Sequence, residues 1–277
     1  MNEMEIRSLK TVCFSPTGTT SAMVAAIARG MDAGTPEIID ITRPAAREKS
    51  LQTSEHDLLI VGVPVYLGRI PALAGDWLRT LEAHETPAVC VVMYGNRAYD
   101  DALLELQDIL AARGCRPVAG AACIGQHSFS APGSVTAEGR PDARDCAEAE
   151  LFGNRVREKL RAVSTSGQAP GVPLPGSRPY RMATCHPYRK GTPFWNVDFI
   201  AVGDSCTRCG RCAEGCPVGA IDPEDSRAID TERCITCCAC IRHCPVQART
   251  IKPGIVRDAS LRVFSLNKER KETAWFL

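Results

Sequence analysis

The sequence has no surplus of charge, few aromatic residues and no long apolar run, and each absence narrows what the chain can do. Its 33 basic residues against 32 acidic ones leave none of the cationic excess that nucleic-acid binders show. No apolar stretch approaches the ~20 residues that cross a bilayer. The opening MNEMEIRSLK carries two glutamates and lacks the apolar segment of a secretory signal. A cytoplasmic chain without nucleic-acid or membrane partners is therefore expected. At its first strand-to-helix turn, SPTGTT, the lysine of a triphosphate loop is missing, and so are the second and third glycines of a dinucleotide fingerprint.

Cysteine, by contrast, is abundant. Six of the fifteen are scattered singly (Cys13, Cys90, Cys115, Cys123, Cys146, Cys185), while nine fall between Cys206 and Cys244. A chain kept in a reducing compartment does not use such a cluster for disulfides, so metal ligation is expected. The segment contains C-x2-C-x2-C-x3-C-P twice: Cys206, Cys209, Cys212, Cys216 before Pro217, then Cys234, Cys237, Cys240, Cys244 before Pro245. This is the spacing of bacterial two-cluster proteins, in which the fourth cysteine of each run serves the other cluster. One [4Fe–4S] cluster is thus expected on Cys206, Cys209, Cys212 and Cys244, the other on Cys234, Cys237, Cys240 and Cys216. Zinc would use two pairs of sulfur ligands, a poor match to two triplets with trailing Cys-Pro. Cys238 and Cys185 are read as non-ligand thiols. Arg208, Arg211, Arg233 and Arg242 lie in or beside the motifs. If they faced the clusters they would raise the potentials; as solvated surface they would not.

The first 163 residues alternate strand and helix patterns, which makes a doubly wound α/β sandwich the default. Buried parallel strands are expected at 9–14, 58–63, 88–93 and 118–124, with a weaker one at 37–41. Helices are expected at 20–30, 70–81, 99–113 and 142–163, and none is placed in the polar stretch 42–57. Residues 164–197, rich in Pro, Gly and Ser, read as a linker or strap. The cysteine segment (198–254) is followed by a helical pattern at 258–271, and Trp275-Phe276-Leu277 suggest docking onto another surface.

In open α/β sheets, ligands bind beyond the carboxyl ends of the strands at the switch point. SPTGTT offers Ser15, Thr17, Thr19 and Thr20 hydroxyls around Gly18 at a helix N-terminus, which suits a monophosphate; helix capping is the competing reading. Two further loops leave strands at that edge. One holds Pro64, Val65, Tyr66, Leu67 and Gly68 with Arg69; the other holds Tyr94, Gly95, Asn96 and Tyr99. A phosphate loop and two tyrosine-bearing loops together fit a flavin mononucleotide (FMN). Gly68, free of a Cβ, could turn its peptide toward the flavin.

The sandwich resembles flavodoxin, SPTGTT matching that family's T-x-T-G-x-T-like phosphate loop with Ser15 at its first position. Nearly the whole chain resembles the flavodoxin–ferredoxin fusions called ferrodoxins, through YGNRAYDDAL, IGQHSFS, GRPD, the doubled cysteine motif and LRVFSLNKERKE. The resemblance implies a five-stranded sheet of order 2-1-3-4-5 and a small α+β ferredoxin domain. It also implies FMN at Ser15–Thr20, two [4Fe–4S] clusters, and the loops at 64–69 and 94–99 flanking the isoalloxazine ring. His127 is expected near the flavin or the seam between the halves. The function expected is electron transfer between the clusters and FMN, coupling one-electron and two-electron partners. An iron–sulfur flavoenzyme that reduces a quinone, nitro compound or enone is the alternative, and a redox sensor a third. The partner is a redox protein or a small acceptor; a homodimer would be needed if the halves stood far apart.

Overall fold

The computed structural model describes residues 4–181 and 194–277; Cys185 lies outside the described residues. Five parallel strands form the centre of the main sheet: β1 (Ser8–Cys13), β2 (Glu37–Asp40), β3 (Asp57–Pro64), β4 (Thr86–Tyr94) and β5 (Cys115–Ile124). Their order is β2-β1-β3-β4-β5, the flavodoxin-like doubly wound order. Every residue of β4 is buried, the expected signature of a parallel strand covered on both faces. Its side chains alternate. Cys90, Val92 and Tyr94 join one core with helices α2 (Ala72–Leu78) and α3 (Ala102–Ala112). Val89, Val91 and Met93 join the other with α1 (Thr19–Met31) and α4 (Ala143–Arg161). Each fully buried Val, Leu or Ile contributes roughly 1.5–3 kcal/mol. Helices α1 and α4 meet through two glycines: a Cβ on Gly30 would lie 1.8 Å from Glu150 O, and one on Gly153 2.1 Å from Ile27 O.

The sheet differs from the five-stranded expectation at its edge. The C-terminal tail does not await another surface; it returns as β8 (Ala274–Phe276), antiparallel to β5, with Trp275 opposite Ala121. The Trp275 ring packs 4.7 Å from that of Phe152 on α4. Three residues are too few to show a strand period, so only tertiary pairing reveals it. The polar stretch between β2 and β3 holds a single 3-10 turn, Pro44–Glu48, with no buried residue and therefore no apolar period to read. Helix α3 begins at Ala102 rather than Tyr99, because Asp100 adopts a left-handed φ of 44°.

Residues 172–181 form a strap over this sheet. Val172 and Leu174 are buried in the core beside α3, and Gln107 Nε2 donates to Val172 O at 2.7 Å. The Asp101 carboxylate accepts the Ser177 and Arg181 N–H groups at 2.9 and 2.6 Å. Beyond it the cysteine-rich half contains only short elements: β6 (Ile200–Val202), α5 (Arg211–Glu214), α6 (Ala239–Arg242) and β7 (Arg249–Ile251). β6 and β7 pair antiparallel. Helix α7 (Ile255–Leu266) then leads back to β8.

Candidate functional site

The sequence duplication is also a duplication of backbone. Arg208 and Thr236, each two residues into its motif, both have φ of 54°. Gly210 and Cys238 are both left-handed (76° and 59°), and so are Gly219 and Gln247 (59° and 51°). The fourth cysteine of each copy accepts an N–H: Ala220 N donates to Cys216 Sγ at 3.3 Å, Ala248 N to Cys244 Sγ at 3.2 Å. Cys238 thus occupies the place of a turn glycine and is buried.

Cys216, Cys234, Cys237 and Cys240 line a single small cavity of about 20 Å³, walled by Phe199, Ile200, Val218, Ile221, Ile229 and Ile235. The chain-distant Cys216 is therefore brought to the second triplet. Burial pushes the Cys240 thiol up to about 12 and Cys237 well above the usual range, so holding these sulfurs as thiolates requires a cationic partner such as iron. The other set is more open, with Cys212 buried, Cys206 and Cys244 half-buried, and Cys209 exposed. Arg208, Arg211, Arg233 and Arg242 are all exposed. The buried cation is instead Arg249, whose Nη2 donates to Ser226 O and whose Nη1 finds no partner. It acts electrostatically on both Cys206 and Cys240. Two cysteine sulfurs that accept N–H groups, four motif cysteines gathered on one cavity, and an orphaned buried guanidinium together fit anionic iron–sulfur clusters.

At the carboxyl edge of the sheet, a second pocket lies between the halves. One wall comes from Val65, Tyr66, Leu67 and Gly68 after β3 and from Tyr94 and Gly95 at the end of β4. The facing wall comes from Phe194, Thr236 and Val263, with His127 and Phe129 between. The loop after β3 turns tightly at Leu67 and Gly68 (φ 52° and 80°), closed by Tyr66 N–H to Arg69 O at 2.8 Å and Arg69 N–H to Tyr66 O at 3.1 Å. A Cβ on Gly68 would lie 2.6 Å from Asp100 Oδ2. Its carbonyl accepts the Asp101 N–H at 3.2 Å. Buried Arg69 anchors this loop through a two-pronged pair with Glu105 (2.7 and 2.6 Å), and Glu105 also accepts the Ile70 N–H at 3.0 Å.

Not every residue singled out lines that pocket. Pro64 ends β3 in register with Met93. Tyr99 packs on Tyr94 with ring centroids 5.4 Å apart. Asn96 sends its Nδ2 to Asn267 O and Glu269 O at 3.0 and 2.8 Å, tying down the C-terminal segment, while its buried Oδ1 has no partner. In SPTGTT the structure shows a capping bond. Ser15 Oγ accepts the Ser21 N–H at 3.0 Å, a capping role, and its own N–H donates to Thr42 Oγ1 at 2.8 Å. Gly18, with φ of 84°, starts α1 without a side-chain cap, and the Thr17 and Thr19 hydroxyls lie 3.5 Å apart beside that N-terminus. Thr20 is buried. The helix start with its two threonines suits a phosphate and the tyrosine-walled pocket suits a flavin ring, although residues 15–20 do not themselves line that pocket.

Residues 199–245 match the 4Fe-4S dicluster domain family. The chain thus combines a sheet of flavodoxin-like strand order with a segment that matches this family. The strand order is what makes the first half flavodoxin-like in fold; an oxidised flavodoxin 2 from Bacillus cereus is similar at 17% identity and a TM-score of 0.41, covering 55% of this chain and 99% of its own. A flavodoxin from the domain Archaea does so at 14% identity and 0.36, covering 55% and 98%. Among curated proteins, NADH-quinone oxidoreductase subunit I 2 of Symbiobacterium thermophilum is 37% identical over 71 residues, which is 21% of this chain; the match spans only 30% of that relative's length.

The two halves of the chain interlock. Ile235, Cys237 and Ala239 share one apolar core with Val63 and Tyr94. Arg47 Nη2 donates to Pro217 O at 2.6 Å, and His243 Nε2 to Pro16 O at 2.8 Å, joining cysteine segment to phosphate loop. His127 Nδ1 accepts the Phe129 N–H at 3.1 Å, which leaves the ring proton on Nε2. Burial, helped by the charge of Arg97, lowers His127 to about 4, so the ring is neutral at pH 7. No helix among the described residues is long and apolar enough to cross a membrane. Two features escaped the sequence reading. Arg249 was signalled only by comparing the two motif copies, and the Asn96 bond to the tail, across more than 170 positions, by nothing local.

Proposed function

We propose that the chain is an electron-transfer iron–sulfur flavoprotein holding two [4Fe–4S] clusters and one FMN. When bound, the clusters exchange single electrons and the flavin one or two, so the chain would couple one-electron and two-electron partners. Cys234, Cys237, Cys240 and Cys216 would hold the cluster nearer the flavin; Cys206, Cys209, Cys212 and Cys244 the outer one. Thr17, Thr19 and the first N–H groups of α1 would take the phosphate, and the Tyr66 and Tyr94 loops the ring. The observation that carries the reading is Thr236, which lies between ligands Cys234 and Cys237 and lines the flavin pocket itself. Because both walls of the pocket come from one chain, no second copy is required to bring cluster to flavin.

The apolar cover of Phe129, Phe194 and Val263 over the pocket favours a carrier over an enzyme with its own small substrate. Anaerobic purification with iron, sulfide and flavin quantitation tests the proposal. About eight irons and one FMN per chain are expected; zinc in place of iron, or no flavin after reconstitution, would overturn it.

A further inference from the structure

The two copies of the cysteine motif differ at one position that is buried in both. After Cys-Pro, copy one continues Val218-Gly219-Ala220-Ile221 and copy two Val246-Gln247-Ala248-Arg249. Ile221 is 5% exposed and Arg249 2%, so a charge stands where the other copy has an aliphatic side chain. A guanidinium does not lose its proton, and burying one without a counter-charge is costly. Among the described residues Arg249 has no carboxylate partner: Nη2 bonds a neutral carbonyl, Ser226 O, and Nη1 is orphaned. The same Ser226 places its Oγ 3.9 Å from Cys206 Sγ. The equivalent Ile221 lines the aliphatic cavity of Cys216, Cys234, Cys237 and Cys240, whose walls carry no cation; Arg249 reaches that set only through Cys240, from outside the cavity.

We infer that Arg249 is the internal counter-cation of the cluster held by Cys206, Cys209, Cys212 and Cys244, and that it sets this cluster at a higher reduction potential than the other. The inference rests on the iron–sulfur reading above. Reduction adds one electron from an external one-electron donor; no bond is made or broken and no proton is taken up. The added negative charge is stabilised by a cation in a medium that screens it little. The exposed Arg208, Arg211, Arg233 and Arg242 are screened by water and do far less. Arg249 is thus a positioning residue acting through charge, and its effect is independent of pH. It also orders the centres: the higher-potential cluster is the one with exposed Cys209, facing outside partners, and the lower-potential cluster is the one beside the flavin pocket.

The test is an anaerobic redox titration of the holoprotein followed by electron paramagnetic resonance, with iron counted in every sample. Wild type should show two resolved cluster midpoints. Arg249→Ile, which makes copy two like copy one, should shift the upper couple's equilibrium tenfold or more, 59 mV for one electron, and narrow the gap. Arg249→Gln, which keeps a hydrogen-bond donor without charge, should do the same, whereas Arg249→Lys should keep most of the gap. Full iron with an unchanged gap in the Ile or Gln variant overturns the role of Arg249 alone, as does a fall confined to the lower couple. Zinc or missing iron in the wild type overturns the iron–sulfur reading and this inference together.

Discussion

The sandwich buries nine consecutive residues along β4, whereas between residues 198 and 254 no helix or strand exceeds four residues. The first region has enough apolar surface to fold on its own terms. The second carries eight motif cysteines, four of them on one small cavity, and one buried arginine with an orphaned nitrogen. A segment of this size rarely stands without a metal or another staple. The contrast teaches that the two halves draw stability from different sources although they share a core at Ile235, Cys237 and Tyr94.

The largest expected effect follows directly. Removing iron by anaerobic chelation should abolish amide protection across residues 199–254 while β1, β3 and β4 keep theirs, as read by hydrogen exchange; retained protection in the cysteine half would erase the contrast. Next is Glu105→Ala in the sandwich, which strands Arg69 as a buried unpaired charge. Unfolding of that half should lose about 3–5 kcal/mol in urea, with the loop carrying Tyr66 and Gly68 loosened and flavin retention reduced.

Smaller, and pH-dependent, is the contribution of His127. Its pKa falls from 6.5 to about 4 on folding because burial disfavours the imidazolium, with Arg97 adding to this. A depressed histidine contributes stability that is full above the unfolded value and is lost as pH falls from about 6.5 toward 4. The loss is on the order of 3 kcal/mol, and His127→Gln should flatten that part of the stability profile. Smallest is Arg208→Gln. Its exposure predicts unmoved cluster midpoints, a control that sharpens the comparison with Arg249.

Legibility in the sequence followed physical locality. Apolar runs buried on both faces announce β1, β3, β4 and β5 by themselves, and the repeated C-x2-C-x2-C-x3-C-P spacing carries its chemistry in eight side chains. The tail strand at Ala274–Phe276 was read only as a docking end, because three residues show no period and the partner edge is more than 150 positions away. SPTGTT is read as an FMN phosphate site; in the structure Ser15 Oγ accepts the Ser21 N–H of α1, while Thr17 and Thr19 stand beside the helix start at Gly18. Asn96, read as part of a flavin loop, also holds the C-terminal segment through its amide. The arginines that drew attention by lying inside the motifs are exposed, and the one that matters sits five residues after the last ligand.

The central claim is that the cluster set beside Thr236 communicates with the flavin pocket. The most direct measurement is anaerobic rapid-mixing reduction of the holoprotein by a one-electron donor, following the cluster and flavin absorption bands together, in wild type and in Cys237→Ala. The account predicts that both bands bleach in one coupled course in wild type, and that flavin bleaching slows at least tenfold in the variant while FMN stays bound. Flavin reduction at an unchanged rate without that cluster would contradict it.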